Sequence, residues 1–156
     1  MLNAHLTTLS SWHLSISLAY LPAWVIVAIT WHYRIFTHTN IVLVLFIHLL
    51  IGLSLASWSF FIAAPFGKSP QLAAIASTFL SVLFAILAQV YKNAGNTGAF
   101  IFSLLFPPGF YIFALRAICG FENKLMTTGL VRPDPDHQLR LLPLIIASIV
   151  WMLVSA

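Results

Sequence analysis

Acidic side chains are almost missing from this sequence: Glu122, Asp134 and Asp136 are all it has, against seven Lys and Arg in 156 residues. Paired-carboxylate catalysis needs two such groups in an enclosed site. Three that fall in one polar stretch, 120–138, are instead expected to be solvated. The basic residues are scattered singly, which excludes the continuous basic stripe that neutralises a nucleic-acid backbone. Anionic lipid headgroups are the expected partners, and nucleic acid is not. One cysteine, Cys119, excludes an internal disulfide and an all-cysteine metal site. The six histidines (5, 13, 32, 38, 48 and 137) lack a compact ligand spacing, so no metal is expected. No Lys or Arg precedes Arg34, so the chain lacks the charged start of a signal peptide and the Arg-rich face of a transit peptide. A Gly-x-x-x-x-Gly-Lys-Ser/Thr phosphate loop is also missing, and ATP has no such route to this chain.

What is present is apolar surface. A composition 61 % hydrophobic and only 6 % charged lies outside the soluble globular range and predicts an integral, multi-pass membrane protein. The bilayer then requires every backbone polar group to be paired within its own segment, so the expected fold is all-α, a polytopic helix bundle. Four spans are predicted: about 12–31, 41–64, 70–91 and 139–156. Residues 1–11 read as a polar lead-in without a fold of its own. In the first span, Trp12 and Trp31 lie about 29 Å apart at helical rise, matching an aromatic to each interface. Pro22 is expected to kink that span. The last span has sixteen residues after Arg140, about 24 Å of helix against a core of about 30 Å, and is expected to be incomplete.

The chain is organised around the elbow between the second and third spans. Phe66, Gly67, Lys68, Ser69 and Pro70 interrupt two apolar runs, and Lys68 is the only charge between Arg34 and Lys92. Glycine admits positive φ and Pro70 cannot donate, so a turn at a membrane surface is expected. Downstream, Ala73, Ser77, Ser81 and Ala85 recur every four residues as a ribbon of small side chains, the pattern that lets helices approach closely in lipid.

The run 99–119 is broken by Pro107, Pro108 and Gly109 into halves of about 13 Å, each under half a bilayer. Two readings stand: one kinked spanning helix, or a re-entrant hairpin that enters and leaves on one side. Arg116 closes the segment. At the bilayer centre it would cost about 2.5–3.5 kcal/mol, so it is expected to reach the interface or to contact a phosphate or carboxylate. An intramembrane His48 followed by Gly52-Leu53-Ser54 invites a serine-hydrolase reading. Base and nucleophile six residues apart on one helix fall on roughly opposite faces, however, and no catalytic site is assigned.

The stretch SxxFxxxxPFGKSPQLAAI at 57–75, with FPPGFYIFALRAICGFEN at 106–123, resembles the membrane domain of an A-subfamily ATP-binding cassette transporter, of the fungal or protist kind. The matching positions are Phe66, Lys68, Ala73 and Ala74 at the elbow, then Phe106, Pro107, Phe110, Ala114, Leu115 and Arg116. The resemblance implies that 99–119 is an external re-entrant hairpin and that the elbow is cytosolic. It further implies that the chain is a fragment carrying the third to fifth helices and the start of the sixth. ATP and magnesium would act on a nucleotide-binding domain outside this chain, which itself holds no cofactor. The expected partners are membrane lipids, the remaining helices and the nucleotide-binding domains. The implied function is export of lipids or other amphiphiles. This topology puts Lys68 inside and Arg34, Lys92 and 116–140 outside, opposite to the positive-inside rule. The alternative is a small self-standing membrane subunit that assembles through the Ala73–Ala85 ribbon.

Overall fold

Apolar runs bounded by proline and short polar turns fold here into six α-helices, with no strand among the described residues. The computed structural model describes residues 2–67, 69–91 and 95–155, with side chains from 14 to 154 in those segments. The helices are α1 (Leu2–Arg34), α2 (Ile41–Ala63), α3 (Pro70–Val90), α4 (Asn96–Leu105), α5 (Pro107–Asn123) and α6 (Leu141–Ser155). The all-α bundle follows the sequence. Three helical stretches, Leu14–Arg34, Ile41–Phe66 and Pro70–Val90, are long and apolar enough to cross a membrane, and Asn96–Leu105 and Leu141–Val154 are shorter apolar helices.

The lead-in is helical from Leu2, not an unstructured approach. Helix propagation adds a hydrogen bond per residue once nucleated, and the first eleven residues contain no Gly or Pro to stop it. α1 also runs through Pro22 without interruption and ends at Arg34. In the connection that follows, Phe36 is buried and its ring lies 5.7 Å from that of Trp31. Asn40 caps α2 by accepting from the Val42 N–H at 2.8 Å.

Among the described residues of the elbow none has positive φ. α2 passes into a 3-10 turn, Ala64–Phe66, with Pro65 at its start, and Gly67 is right-handed at φ −45°. Ser69 N–H closes the turn on the Phe66 carbonyl at 2.7 Å, and Pro70 opens α3, where a missing donor costs nothing. Lys68 lies outside the described residues.

The bundle has two ends. At one lie the end of α1, the start of α2, the end of α3, the start of α4, the end of α5 and the long connection 124–140. This end is the loop face. α2, at about 34 Å of helix, carries the elbow to the opposite end. Buried side chains of α2, α5 and α6, among them Val44, Ile47, Phe110, Phe113, Ile118, Leu141 and Leu144, form the centre. α3, by contrast, presents Leu72, Ile75, Phe79, Val82, Ile86 and Val90 outward.

Candidate functional site

Phe106 is the point at which the chain turns. Its φ/ψ of −133°/95° is extended, which ends α4, and Pro107 and Pro108 occupy the first turn of α5, where no backbone donor is required. Two prolines that would disable a helix interior thus start a new helix. The bend is sharp. Residues 102 and 113 would be about 16 Å apart along a continuous helix, yet the Phe102 and Phe113 rings are 5.9 Å apart. Phe102 also occupies the place a Cβ on Gly109 would take, so glycine is what permits the two arms to close. Of the two readings of 99–119, a pair of helices folded on each other describes the geometry, and it extends beyond that range to Asn96 and Asn123.

Both arms start and finish at the loop face. Asn96, at the start of α4, accepts the Arg140 N–H through Oδ1 at 3.1 Å. Glu122, near the end of α5, accepts from the backbone N–H of His38 (3.0 Å) and Thr39 (2.7 Å) and from the Thr39 hydroxyl (2.7 Å). Because the Thr39 hydroxyl spends its proton on Glu122, Thr128, at 2.7 Å, donates to Thr39. The ten residues of α4 carry Phe106 about 15 Å below this face. There it stacks on Phe84 at 3.8 Å and meets Trp58 edge-on at 6.3 Å, while Trp58 packs on Trp151 of α6 at 5.8 Å.

The expectation that the acidic residues are solvated fails for two of them. Glu122 is the acceptor just described. Asp134 is fully buried, with Oδ1 accepting from Leu139 N–H at 2.6 Å and Oδ2 from the N–H groups of His137 (2.8 Å) and Asp136 (3.2 Å). Leu139 is consequently held in the loop, and α6 starts at Leu141 rather than 139. Asp136 does remain at the surface, 3.7 Å from Lys124 Nζ.

Arg116 reaches the last turn of α3. Its Nη2 donates to the Gln89 side-chain oxygen at 2.7 Å and lies 3.1 Å from the Gln89 carbonyl and 3.3 Å from that of Ala88. Unpaired carbonyls and the negative end of the helix dipole meet there, so a cation is favoured. The Phe113 ring lies under the guanidinium at 5.6 Å.

The ribbon packs inside the chain. Ala73 and Ser77 are buried, and Ser81 accepts from Trp58 Nε1 at 3.1 Å while donating to the Ser77 carbonyl at 2.7 Å. Ala85 leaves the contact and Ala88 replaces it. A four-residue step advances by about 400°, so a strict spacing of four drifts about 40° per step away from the partner helix.

His48 and Ser54 do not meet as base and nucleophile. Nδ1 of His48 donates to the Val44 carbonyl at 3.0 Å, and Ser54 Oγ donates to the Ile51 carbonyl at 3.0 Å. Gly52 receives the Trp24 ring, which sets the contact between α1 and α2. Among the described residues no three His, Cys, Asp or Glu side chains converge on one point.

Two of these features escaped sequence reasoning: the Glu122–Thr39 bond, which joins residues 83 apart, and the caging of Asp134. The first leaves no local trace. The second had a signal in Asp134-Pro135-Asp136-His137, since an Asp side chain readily accepts from the backbone two residues on. Compared with known proteins, the chain matches no family model, no curated relative and no solved structure.

Proposed function

We propose that the chain is an integral, multi-pass bundle forming part of the transmembrane domain of an ATP-binding cassette exporter of the A subfamily, which moves lipids or other amphiphiles. The observation that carries the reading is the α4–α5 hairpin. Its two ends share one face, and its arms of about 15 and 25 Å are each shorter than a hydrocarbon core of about 30 Å, which suits an element that enters and leaves a bilayer on one side. The elbow of Phe66, Gly67, Ser69 and Pro70 lies at the opposite end, where the resemblance needs a surface near a nucleotide-binding domain. Apolar side chains facing outward along α3 suit lipid, and would be a liability in water. In this role the chain makes and breaks no bonds. It would convert ATP-driven rocking into helix movement, through α2 and α3 as rigid levers joined at the elbow.

The self-standing assembly subunit is the weaker reading, because the ribbon meant to hold its partner is occupied by Trp58. The size of the native protein separates the two. An antibody against 121–138, used on source membranes, is expected to reveal a band far larger than the 17.3 kDa of this chain. A lone band near 17 kDa would sink ATP-driven pumping by this polypeptide.

A further inference from the structure

Beside the hairpin, Val82, Ala85, Ile86, Gln89 and Val90 of α3 and Ile112 of α5 line an open groove of about 580 Å³. Its lining is apolar except for Gln89, and Gln89 is the residue that holds Arg116. Arg116 stands one helical turn beyond Ile112 on α5, so the guanidinium heads the groove at the loop face. From there the groove follows α3 towards Val82, about 11 Å deeper at helical rise.

The guanidinium is only partly used. All its hydrogen bonds leave from Nη2, and the Nε and Nη1 donors meet no acceptor among the described residues. Neither ion pair among those residues includes Arg116, so no carboxylate among them neutralises it. A cation with spare donors at headgroup depth above an apolar channel has the complementarity of a phospholipid: phosphate at one end, acyl chain along the other. We propose that α3 and α5 form a binding site for an anionic phospholipid, its phosphate on Arg116 and one acyl chain along Val82, Ile86 and Ile112. This rests on the membrane placement proposed above and not on the exporter reading.

Carbonate extraction of membranes containing the chain checks the placement first. Release into the supernatant would refute the placement itself. If the chain stays in the membrane, native mass spectrometry of the detergent-released chain with phosphatidylglycerol, phosphatidylcholine or inorganic phosphate tests the site. Phosphatidylglycerol adducts should exceed phosphatidylcholine adducts, and Arg116→Gln should reduce them about tenfold, the factor expected for one charge-assisted contact. Because Arg116→Gln also loosens α3, Val82→Trp provides a second reading. It fills the groove from the exposed face of α3, leaves the guanidinium in place, and should lower phosphatidylglycerol retention with helicity unchanged. Equal retention of the two lipids would overturn the proposal. So would a folded Arg116→Gln that keeps its adducts, or displacement by inorganic phosphate with Val82→Trp inert.

Discussion

Thr39 gives Glu122 both of its donors, backbone N–H and hydroxyl, at 2.7 Å each. The contact ties the α1–α2 connection to the end of α5, and Thr128 extends it into the long loop. Glu122→Ala would leave three donors without their acceptor in a partly buried place, a loss of about 2 kcal/mol. Thr39→Val keeps shape and the backbone bond, and should cost about 1 kcal/mol. Thermal unfolding in detergent, followed by circular dichroism, checks the order. Two variants as stable as the parent would mean that the carboxylate is merely solvated.

Asp134 offers a sharper case because it is fully buried and serves three backbone donors in one short loop. Asp134→Ala should cost about 3 kcal/mol, since each stranded N–H bears its own desolvation penalty. Asp134→Asn restores one acceptor oxygen but turns an NH2 group towards N–H groups, so it should recover only part of the loss. The loop 124–140 is the segment released. Limited proteolysis is expected to cut both variants there well before the parent, and cleavage elsewhere first would contradict the role given to Asp134.

The part of this architecture that a sequence can display is the part with local causes. Apolar helices announce themselves by length and hydropathy, Pro70 and Pro107–Pro108 mark helix starts, and the break at Phe106 follows from two adjacent missing donors. Lead-in and elbow show the limit of that logic. Residues 2–11 are helical because a helix propagates through polar residues as well, and Gly67 has a freedom in φ that the turn does not use. Arg116 was recognisable as an expensive charge, but its partner, the end of α3, lies 27 residues away and is set by packing. Long-range polar pairs of this kind leave no periodicity to read.

The ribbon on α3 can be split into its two contributions. Ser81→Ala removes the acceptor of Trp58 Nε1 but preserves close approach, and hydrogen bonds between helices in lipid average about 0.6 kcal/mol. Ser77→Leu keeps that bond available but forces bulk into a buried contact, which should cost about 1–3 kcal/mol. The larger effect is therefore expected from the variant that leaves the hydrogen bond untouched. Equilibrium unfolding of both in one detergent decides it, and the reverse order would show that the Trp58–Ser81 bond, not proximity, holds α2 to α3.

The closure of the hairpin makes a prediction whose sign depends on its neighbour. In the parent chain, Gly109→Ala drives a methyl group into the Phe102 ring, which is also packed on Phe84, Phe106 and Phe113 and has little room to yield. A loss of about 1–3 kcal/mol is expected from such overpacking. Phe102→Ala by itself should cost about 3–5 kcal/mol through the cavity it opens. With that ring gone the objection to a Cβ disappears, and alanine is the better helix former by about 1 kcal/mol. Gly109→Ala should then be neutral or stabilising in the Phe102→Ala background. A double-mutant cycle measures the inversion directly, with a coupling energy of about 1–3 kcal/mol expected for residues in contact. Additive losses would mean that Phe102 does not lie over Gly109 and that the two arms are not folded together as described.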